Sequence, residues 1–322
     1  MKSFLSLIRL PNLLIIALTQ FAMRYLIVEP LLPSPSFTLQ FDDLHFMLLV
    51  MGTIFIAAAG YIINDYFDIR TDRINKPAKV VVGETIDRRT AMILHSLLNI
   101  LGIGIGVYLS LHIGILALSF IFFFTAGLLW FYSTNYKRQF LIGNLIVAFL
   151  TAMVPFIVVL FEIPSLNKAY GDIMLQYNSN FNYIFFWVVG FSMFAFITTL
   201  IREIIKDAED FEGDQAYGMK TLPIVAGENL TKAIISTLIL IAIGLLIFIL
   251  VRFIMFSAEE VDYISMIYIT GFIIIPLFIL LTLVLLAKSR DDYHRSSKLI
   301  KFIMLFGVLY SGIVYYLIKF WL

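Results

Sequence analysis

Two short acidic stretches contain the residues whose types and spacing could support chemistry in this sequence. In the first stretch, Asp65, Asp68 and Asp72 are spaced i, i+3 and i+7, and Asn64 precedes them. On a helix this spacing places the three carboxylates on one face, and Asn64 borders that face. Oxygen ligands without a Cys or His cluster suit a hard cation such as Mg²⁺. The pattern therefore indicates a magnesium site.

The second stretch repeats the same spacing at Asp207, Asp210 and Asp214. Arg202 and Lys206 precede it, one helical turn apart. Mg²⁺ in proteins usually takes one or two carboxylates and completes its shell with water and phosphate oxygens. Two such motifs on separate helices could therefore hold a diphosphate between them through bound metal.

Both stretches could instead be ordinary solvated acidic loops at the ends of membrane helices. One motif alone would leave this alternative open. Two copies with identical spacing, each at the end of an apolar segment, favour a pair of metal sites. Six Asp residues at the bilayer centre would be prohibitive, at about 2.5–3.5 kcal/mol each. The motifs must therefore lie at the interface or line a polar cavity.

The composition indicates that lipid surrounds most of the chain. Of 322 residues, 61% are hydrophobic and 14% are charged, and the mean hydropathy is +0.95. Soluble domains are nearer half apolar and a quarter charged. With a net charge of +1, the protein has no strong positive electrostatic field that would attract nucleic acid. The absence of Cys excludes disulfides, a thiolate nucleophile and zinc-thiolate sites.

Apolar runs of about 20 residues, the length that spans a bilayer, recur along the chain. They predict an all-α polytopic membrane bundle of nine transmembrane helices around a central cavity, as a single domain over residues 1–322. The tightest connection is expected at Ser110–Gly114. The predicted spans are 10–29, 45–65, 89–110, 113–132, 140–161, 183–204, 230–253, 264–287 and 299–320.

Basic residues predict the orientation of the nine spans. With this count, all but four of the 23 Lys and Arg residues fall on one side of the membrane. The exceptions are Lys168, Arg252, Lys319 and Arg24, which is placed near the end of the first helix. The Lys/Arg-rich side is normally cytoplasmic. We therefore expect a multi-pass protein of the cytoplasmic membrane with a cytoplasmic N-terminus and both acidic motifs on the cytoplasmic face.

These motifs resemble those of the UbiA-type superfamily of intramembrane prenyltransferases. The first matches the pattern N-D-x-x-D-x-x-x-D from Asn64 to Asp72 and continues into residues 73–77. The second has the form K-D-x-x-D-x-x-G-D from Lys206 to Asp214 and continues into residues 218–223. The resemblance covers almost the whole chain. It implies nine helices, with both motifs on the cytoplasmic side.

The resemblance also implies a reaction: prenyl transfer from an isoprenoid diphosphate held by two Mg²⁺ ions to an acceptor nucleophile. The implied metal ligands are Asn64, Asp65, Asp68 and Asp72 for one ion, and Asp207, Asp210 and Asp214 for the other. The implied catalytic residues are Asp68, Asp72, Asp210 and Asp214. The implied diphosphate-binding residues are Asn64, Lys137, Arg202 and Lys206.

Several of these side chains have alternative interpretations. Lys137 could equally be ordinary positive charge on a cytoplasmic loop, and Arg202 and Lys206 could neutralise the carboxylates. Arg73 and Lys76 are expected to pack within the loop or to belong to the same excess of positive charge on the cytoplasmic side. Asn12 and Asn144 could face the cavity, or could form hydrogen bonds between helices.

The acceptor is the least determined part of the prediction. The second motif most resembles that of family members that prenylate geranylgeranylglyceryl phosphate, which would make the product an ether lipid. An aromatic quinone precursor such as 4-hydroxybenzoate or dihydroxynaphthoate is the alternative acceptor. A membrane transporter is the alternative from another class, but it would place its ionisable residues near the midplane on broken helices. A structural membrane protein would explain neither motif. No protein partner is inferred.

Overall fold

The computed structural model describes residues 2–75, 77, 80–255 and 261–320. Within these residues, nine helices are long and apolar enough to cross a membrane, which confirms the predicted all-helical architecture of nine spans. Two short helices accompany them, α1 (Lys2–Leu7) and α8 (Phe211–Ala216). The nine long helices are α2 (Leu10–Val28), α3 (Asp43–Asn75), α4 (Arg88–Ile113), α5 (Leu116–Thr134), α6 (Ile142–Gln176), α7 (Asn182–Glu209), α9 (Leu222–Arg252), α10 (Tyr263–Leu286) and α11 (Arg290–Phe320).

Several helices extend beyond the apolar segments that predicted them. Helix α3 continues to Asn75 rather than ending at 65, and α6 continues to Gln176 rather than 161. Helix α11 begins at Arg290, well before 299. Hydropathy reports only the roughly 20 residues that cross the hydrocarbon. The helices continue as polar turns outside that layer. Apolar runs in the sequence do not reveal these turns, so the predicted spans end too early.

The connection between α4 and α5 is as tight as predicted. Gly114 closes α4 with φ 86°, a left-handed conformation that glycine adopts without steric cost. Its amide donates to the carbonyl oxygens of Ser110 and Leu111, each at 3.1 Å. A single 3-10 turn at Leu116–Leu118 then opens α5.

The described chain divides into two compact units, each with its own apolar core. The first unit comprises Met1–Lys137 and Met153–Val189, and the second comprises Arg138–Ala152 and Gly190–Leu322. Leu13, Ile62 and Ala91 are fully or almost fully buried in one core of the first unit. The core of the second unit includes Ile204 and Leu280, both fully buried. A single domain and a central cavity stay predictions.

Helices α4 and α5 approach closely where α4 has a glycine. A Cβ atom at Gly106 would lie 2.3 Å from Cγ of Phe122, a ring that is 2% exposed. Gly104, two residues earlier on α4, has open space at the same position. Small residues at such contacts let neighbouring membrane helices approach.

We expect Gly106→Ala to lower the free energy of unfolding by about 1–3 kcal/mol, because the added methyl group must displace the buried Phe122 ring. Gly104→Ala is the matched control and should leave stability unchanged or slightly raised, since alanine favours the helix. Thermal unfolding of both variants in detergent measures the difference. Equal melting temperatures for the two variants would contradict the close packing.

Arg24 lies near the end of the first long helix, as predicted, and forms a buried ion pair with Glu162. The side chains of Arg24 and Glu162 are each 1% exposed, and their nearest charged atoms lie 2.8 Å apart. Arg24 also donates to the carbonyl oxygen of Phe41 and to Asp43, the latter at 3.2 Å. Glu162 accepts from the backbone amides of Gln40 and Phe41 at 2.7 and 3.1 Å. The pair thus anchors the segment that leads into α3.

Candidate active site

The first acidic motif occupies the last three turns of α3 in the first unit. Asn64, Asp65, Asp68 and Asp72 all lie within this continuous helix. Asp68 is 5% exposed, and Asn64, one turn before it, donates to its Oδ2 at 2.8 Å. The helical spacing inferred from the sequence therefore describes this motif correctly.

Lys137 lies against this motif. It sits in the 3-10 turn Tyr136–Arg138 between α5 and α6. Its ammonium donates to Asp68 Oδ2 and, at 3.4 Å, to Asn64 Oδ1. Burial alone would lower the pKa of Lys137, but the negative charge of Asp68 outweighs it and holds the pKa above its ordinary value. Lys137 is therefore a cation held at the motif. This favours its interpretation as a diphosphate-binding residue over that of an ordinary positive charge on a loop.

Arg9 is a second cation on this motif, and sequence reasoning missed it. Its guanidinium donates to Asp65 Oδ1 at 2.7 Å and lies over the ring of Tyr61, 4.9 Å from the centroid. Arg9 has φ 51°, a left-handed conformation, at the break between α1 and α2. Asn12 is 3.4 Å from the Tyr61 hydroxyl, so it serves a helix-to-helix contact. The only signal in the sequence was the basic position beside Pro11 at the start of a span.

Arg73, one residue after the motif on α3, contacts the connection that follows this helix. Arg73 pairs with Glu84 at 2.8 Å, and both side chains are more than half exposed. Exposed pairs of this kind contribute about 0–1 kcal/mol. Arg73 therefore serves loop packing, as expected, and Lys76 lies outside the described residues.

The second motif lies in the second unit and is not one straight helix. Helix α7 ends at Glu209, and Asp210 has φ −95° and ψ 12° before α8 begins. The backbone bonds nevertheless continue, from the Asp210 amide to Lys206 at 2.8 Å and from the Asp214 amide to Asp210 at 3.2 Å. The motif therefore bends at Asp210, so the prediction of a single straight face does not hold here.

Asn144 and Glu203 are the polar neighbours of this motif. Asn144, on α6, donates to Asp207 Oδ2 at 2.8 Å. Glu203 lies one turn before Asp207 and pairs with Arg202 at 2.5 Å and with Lys206 at 3.3 Å. Arg202 and Lys206 therefore contact a carboxylate of their own helix here. The i, i+4 spacing from Glu203 to Asp207 could have revealed Glu203 from the sequence.

The last helix also reaches the second motif. His294, near the start of α11, lies 2.8 Å from Glu209 through its Nδ1. Glu209 is 9% exposed and sits between Asp207 and Asp210 in the chain. No local pattern in the sequence connects positions 85 residues apart, so this contact could not be predicted.

The donor chemistry of both motifs fits Mg²⁺. The first motif offers carboxylate oxygens from Asp65, Asp68 and Asp72 and an amide oxygen from Asn64, while Lys137 and Arg9 supply two positive charges. The second offers the carboxylates of Asp207, Asp210 and Asp214, with Asn144 as a neutral donor. Hard oxygen donors with excess negative charge are what Mg²⁺ selects.

Comparisons with known proteins show which family and which fold this chain resembles. The profile described as the UbiA prenyltransferase family matches residues 25–316. A digeranylgeranylglyceryl phosphate synthase from Sulfurisphaera tokodaii is 31% identical over 300 residues, covering 92% of this chain and 91% of that protein. A solved structure of digeranylgeranylglyceryl phosphate synthase in membranes has a TM-score of 0.62 at 24% identity, covering 96% and 98% of the two chains. A UbiA homolog from Archaeoglobus fulgidus bound to DMAPP and Mg²⁺ has a TM-score of 0.52 at 17% identity, covering 97% and 99%.

The described residues form an all-helical, multi-pass integral membrane protein with acidic motifs at the ends of two of its long helices. The chain belongs to the UbiA prenyltransferase family. It is accordingly a transferase, and the transporter considered as the alternative class is excluded.

Proposed function

We propose that this protein transfers a geranylgeranyl group from geranylgeranyl diphosphate to geranylgeranylglyceryl phosphate. The relative from Sulfurisphaera tokodaii, matched over nine-tenths of both chains, carries the name of that synthase. The observation in the structure that supports the reaction best is Lys137, a partly buried cation that contacts Asn64 and Asp68. A cation fixed beside carboxylates is suited to a ligand that carries both phosphate and metal.

The two motifs would hold two Mg²⁺ ions. Asn64, Asp65, Asp68 and Asp72 would provide one site, and Asp207, Asp210 and Asp214 the other. Bound Mg²⁺ would neutralise the diphosphate and stabilise pyrophosphate as a leaving group.

The basic residues of the chain would bind and orient the diphosphate. Lys137 donates to the phosphate oxygens while remaining beside Asp68. Arg202 and Lys206, which now contact Glu203, would give up part of this contact and bind the diphosphate. These contacts strengthen as negative charge accumulates on the leaving group, so they favour the transition state over the bound substrate.

The transfer itself breaks one C–O bond and forms another. The bond between the allylic carbon and the diphosphate oxygen breaks, and its electron pair leaves with pyrophosphate. The acceptor hydroxyl oxygen then bonds to the allylic carbon and loses its proton. A carboxylate of Asp68, Asp72, Asp210 or Asp214 would accept that proton as general base. The prenyl chain requires an apolar channel, which this proposal places between the helices.

We further propose that both motifs face the cytoplasm. If each of the nine candidate spans crosses the membrane once, the Lys/Arg-rich connections and both acidic motifs fall on the same side, and such connections are normally retained in the cytoplasm. Cysteine-accessibility labelling tests this orientation, because the chain has no Cys of its own. A Cys at Glu84 should react only with a reagent that crosses the membrane, and a Cys at Lys168 should react with an impermeant one.

The acceptor is tested with purified protein, Mg²⁺ and labelled geranylgeranyl diphosphate. The protein is offered geranylgeranylglyceryl phosphate, 4-hydroxybenzoate and dihydroxynaphthoate separately, and products are separated by chromatography. We expect transfer to geranylgeranylglyceryl phosphate and none to the aromatic acids. Transfer to an aromatic acid instead would overturn the acceptor assignment and leave the prenyltransferase activity intact.

A further inference from the structure

A second cluster of metal-ligating side chains lies at the other end of α3 from the acidic motif. It consists of Asp42, His45 and His112, each of which offers a ligand atom within 4.8 Å of the other two. Asp42 precedes α3, His45 lies in its first turn, and His112 lies in the last turn of α4. All three belong to the first unit.

The cluster is separate from the candidate active site. His45 and Asp68 share the helix α3, and the 23 residues between them correspond to about 35 Å at 1.5 Å per residue. No side chain of the cluster contacts the acidic motif at that distance. A metal bound here would therefore not be one of the ions that hold the diphosphate.

The contacts within the cluster are unusual for surface residues. The rings of His45 and His112 stack with centroids 3.6 Å apart and planes 14° apart. His45 Nδ1 lies 2.5 Å from Asp42 Oδ2. The hydroxyl of Tyr108 lies 3.2 Å from His45 Nε2. The His45 side chain is only 11% exposed, so its ring is held in place by its neighbours.

Helix capping explains only part of this arrangement. Asp42 Oδ1 accepts from the His45 backbone amide at 3.1 Å, which caps α3. Its other oxygen, Oδ2, is directed to the His45 ring. His112 is exposed yet lies against His45 rather than extending into water. Capping requires neither the second carboxylate oxygen nor His112.

We infer that Asp42, His45 and His112 bind a divalent cation of the zinc class. Two imidazoles and one carboxylate are a donor set that Zn²⁺ uses, with water in the fourth position, whereas Mg²⁺ prefers oxygen alone. The carboxylate and two neutral rings would leave the bound ion with one net positive charge.

Binding an ion needs a modest rearrangement of the cluster. Ligand atoms about 2.0–2.1 Å from a tetrahedral ion lie about 3.3 Å from one another, so separations of up to 4.8 Å close by about 1.5 Å. Asp42 Oδ2 and His45 Nδ1, now 2.5 Å apart, move apart to bind the same ion, and the His112 ring turns out of its stack because an imidazole nitrogen binds a metal in the plane of its ring. Asp42, with a side chain 56% exposed, and His112 can move, while His45 stays fixed.

Access to the cluster comes from an open cavity of about 520 Å³. His112 lines this cavity, together with Ser165 and Lys168 of α6. An ion could therefore reach the cluster without any opening of the helices. Once bound, it would join the beginning of α3 to the end of α4 and stabilise the first unit.

The test is zinc binding to the purified protein in detergent, stripped with EDTA and then supplied with saturating Mg²⁺. Competition with a chromophoric chelator gives the stoichiometry and dissociation constant for Zn²⁺. We expect one Zn²⁺ per chain, with affinity lowered at least about 10-fold in His112→Gln and in Asp42→Asn. Asp68→Asn is the matched control, and its zinc affinity should equal that of the unchanged protein.

A second measurement separates a metal site from mere packing. Zn²⁺ should raise the melting temperature of the unchanged protein and of Asp68→Asn, and should not raise that of His112→Gln. Prenyl transfer with Mg²⁺ should be unaffected in His112→Gln. Zinc binding that is absent, that survives in His112→Gln, or that disappears in Asp68→Asn would each overturn the inference.

Discussion

Asp68→Asn is expected to lower kcat/KM for prenyl transfer by about 10²–10³-fold. Asp68 is 5% exposed and contacts both Lys137 and Asn64. The substitution keeps the size of the side chain but removes its charge, so the motif loses a metal ligand and Lys137 loses its counter-ion. Both losses weaken the interactions that stabilise the departing pyrophosphate.

The measurement is steady-state transfer of the labelled prenyl group at saturating Mg²⁺. Asp172→Asn is the matched control, since Asp172 is exposed on α6 outside both motifs, and it should retain full activity. Asp210→Asn should show a fall similar to that of Asp68→Asn, because the proposal assigns one metal to each motif. Normal turnover in folded Asp68→Asn and Asp210→Asn proteins would rule out the two-metal proposal.

The largest effect on stability is expected at the buried ion pair. Arg24→Ala or Glu162→Ala should each lower the free energy of unfolding by about 3–5 kcal/mol. Arg24→Ala leaves the Glu162 carboxylate, which is 1% exposed, without its cation, and Glu162→Ala leaves Arg24 only its ion pair with the exposed Asp43. Loss of Glu162 also leaves the amides of Gln40 and Phe41 without their acceptor.

Unfolding in a detergent–denaturant titration measures this loss, and a double-mutant cycle shows its origin. The cycle uses Arg24→Met, Glu162→Gln and the combination of the two, which removes both charges while keeping side-chain volume. The double variant should recover part of the loss, because no unpaired buried charge remains. If the two single losses simply add in the double variant, the two side chains are not energetically coupled.

The fold was largely predictable from the sequence because lipid imposes a simple requirement. Each crossing needs about 20 apolar residues with internal backbone hydrogen bonds, and the nine apolar runs satisfy it. The helix ends were not predictable. The apolar run ends the second span at residue 65, yet α3 continues to Asn75. Glu162 could not be recognised as buried, because its partner Arg24 is 138 residues away.

In the candidate site, too, the sequence predicted local relations along one helix and missed contacts between distant parts of the chain. The spacing of Asp65, Asp68 and Asp72 predicts their arrangement on α3, because that relation is local to one helix. Lys137 was recognised as a candidate by its position in a connection, but its contact with Asp68 depends on how α5 returns to α3. Arg9 and His294 were missed because tertiary contacts alone bring them to the motifs.

The length of α3 has a consequence for how an amphiphile reaches the enzyme. Asp43 begins the helix with its side chain 77% exposed, and Asp68 follows about 38 Å further along. Even with a tilt of about 20°, this exceeds the roughly 30 Å of hydrocarbon. With Asp43 at one membrane surface, Asp68 would lie at the level of the lipid headgroups on the other side. A polyprenyl substrate can keep its charged end in the headgroup layer and its tail among the acyl chains throughout the reaction, so the product forms already inserted in its leaflet.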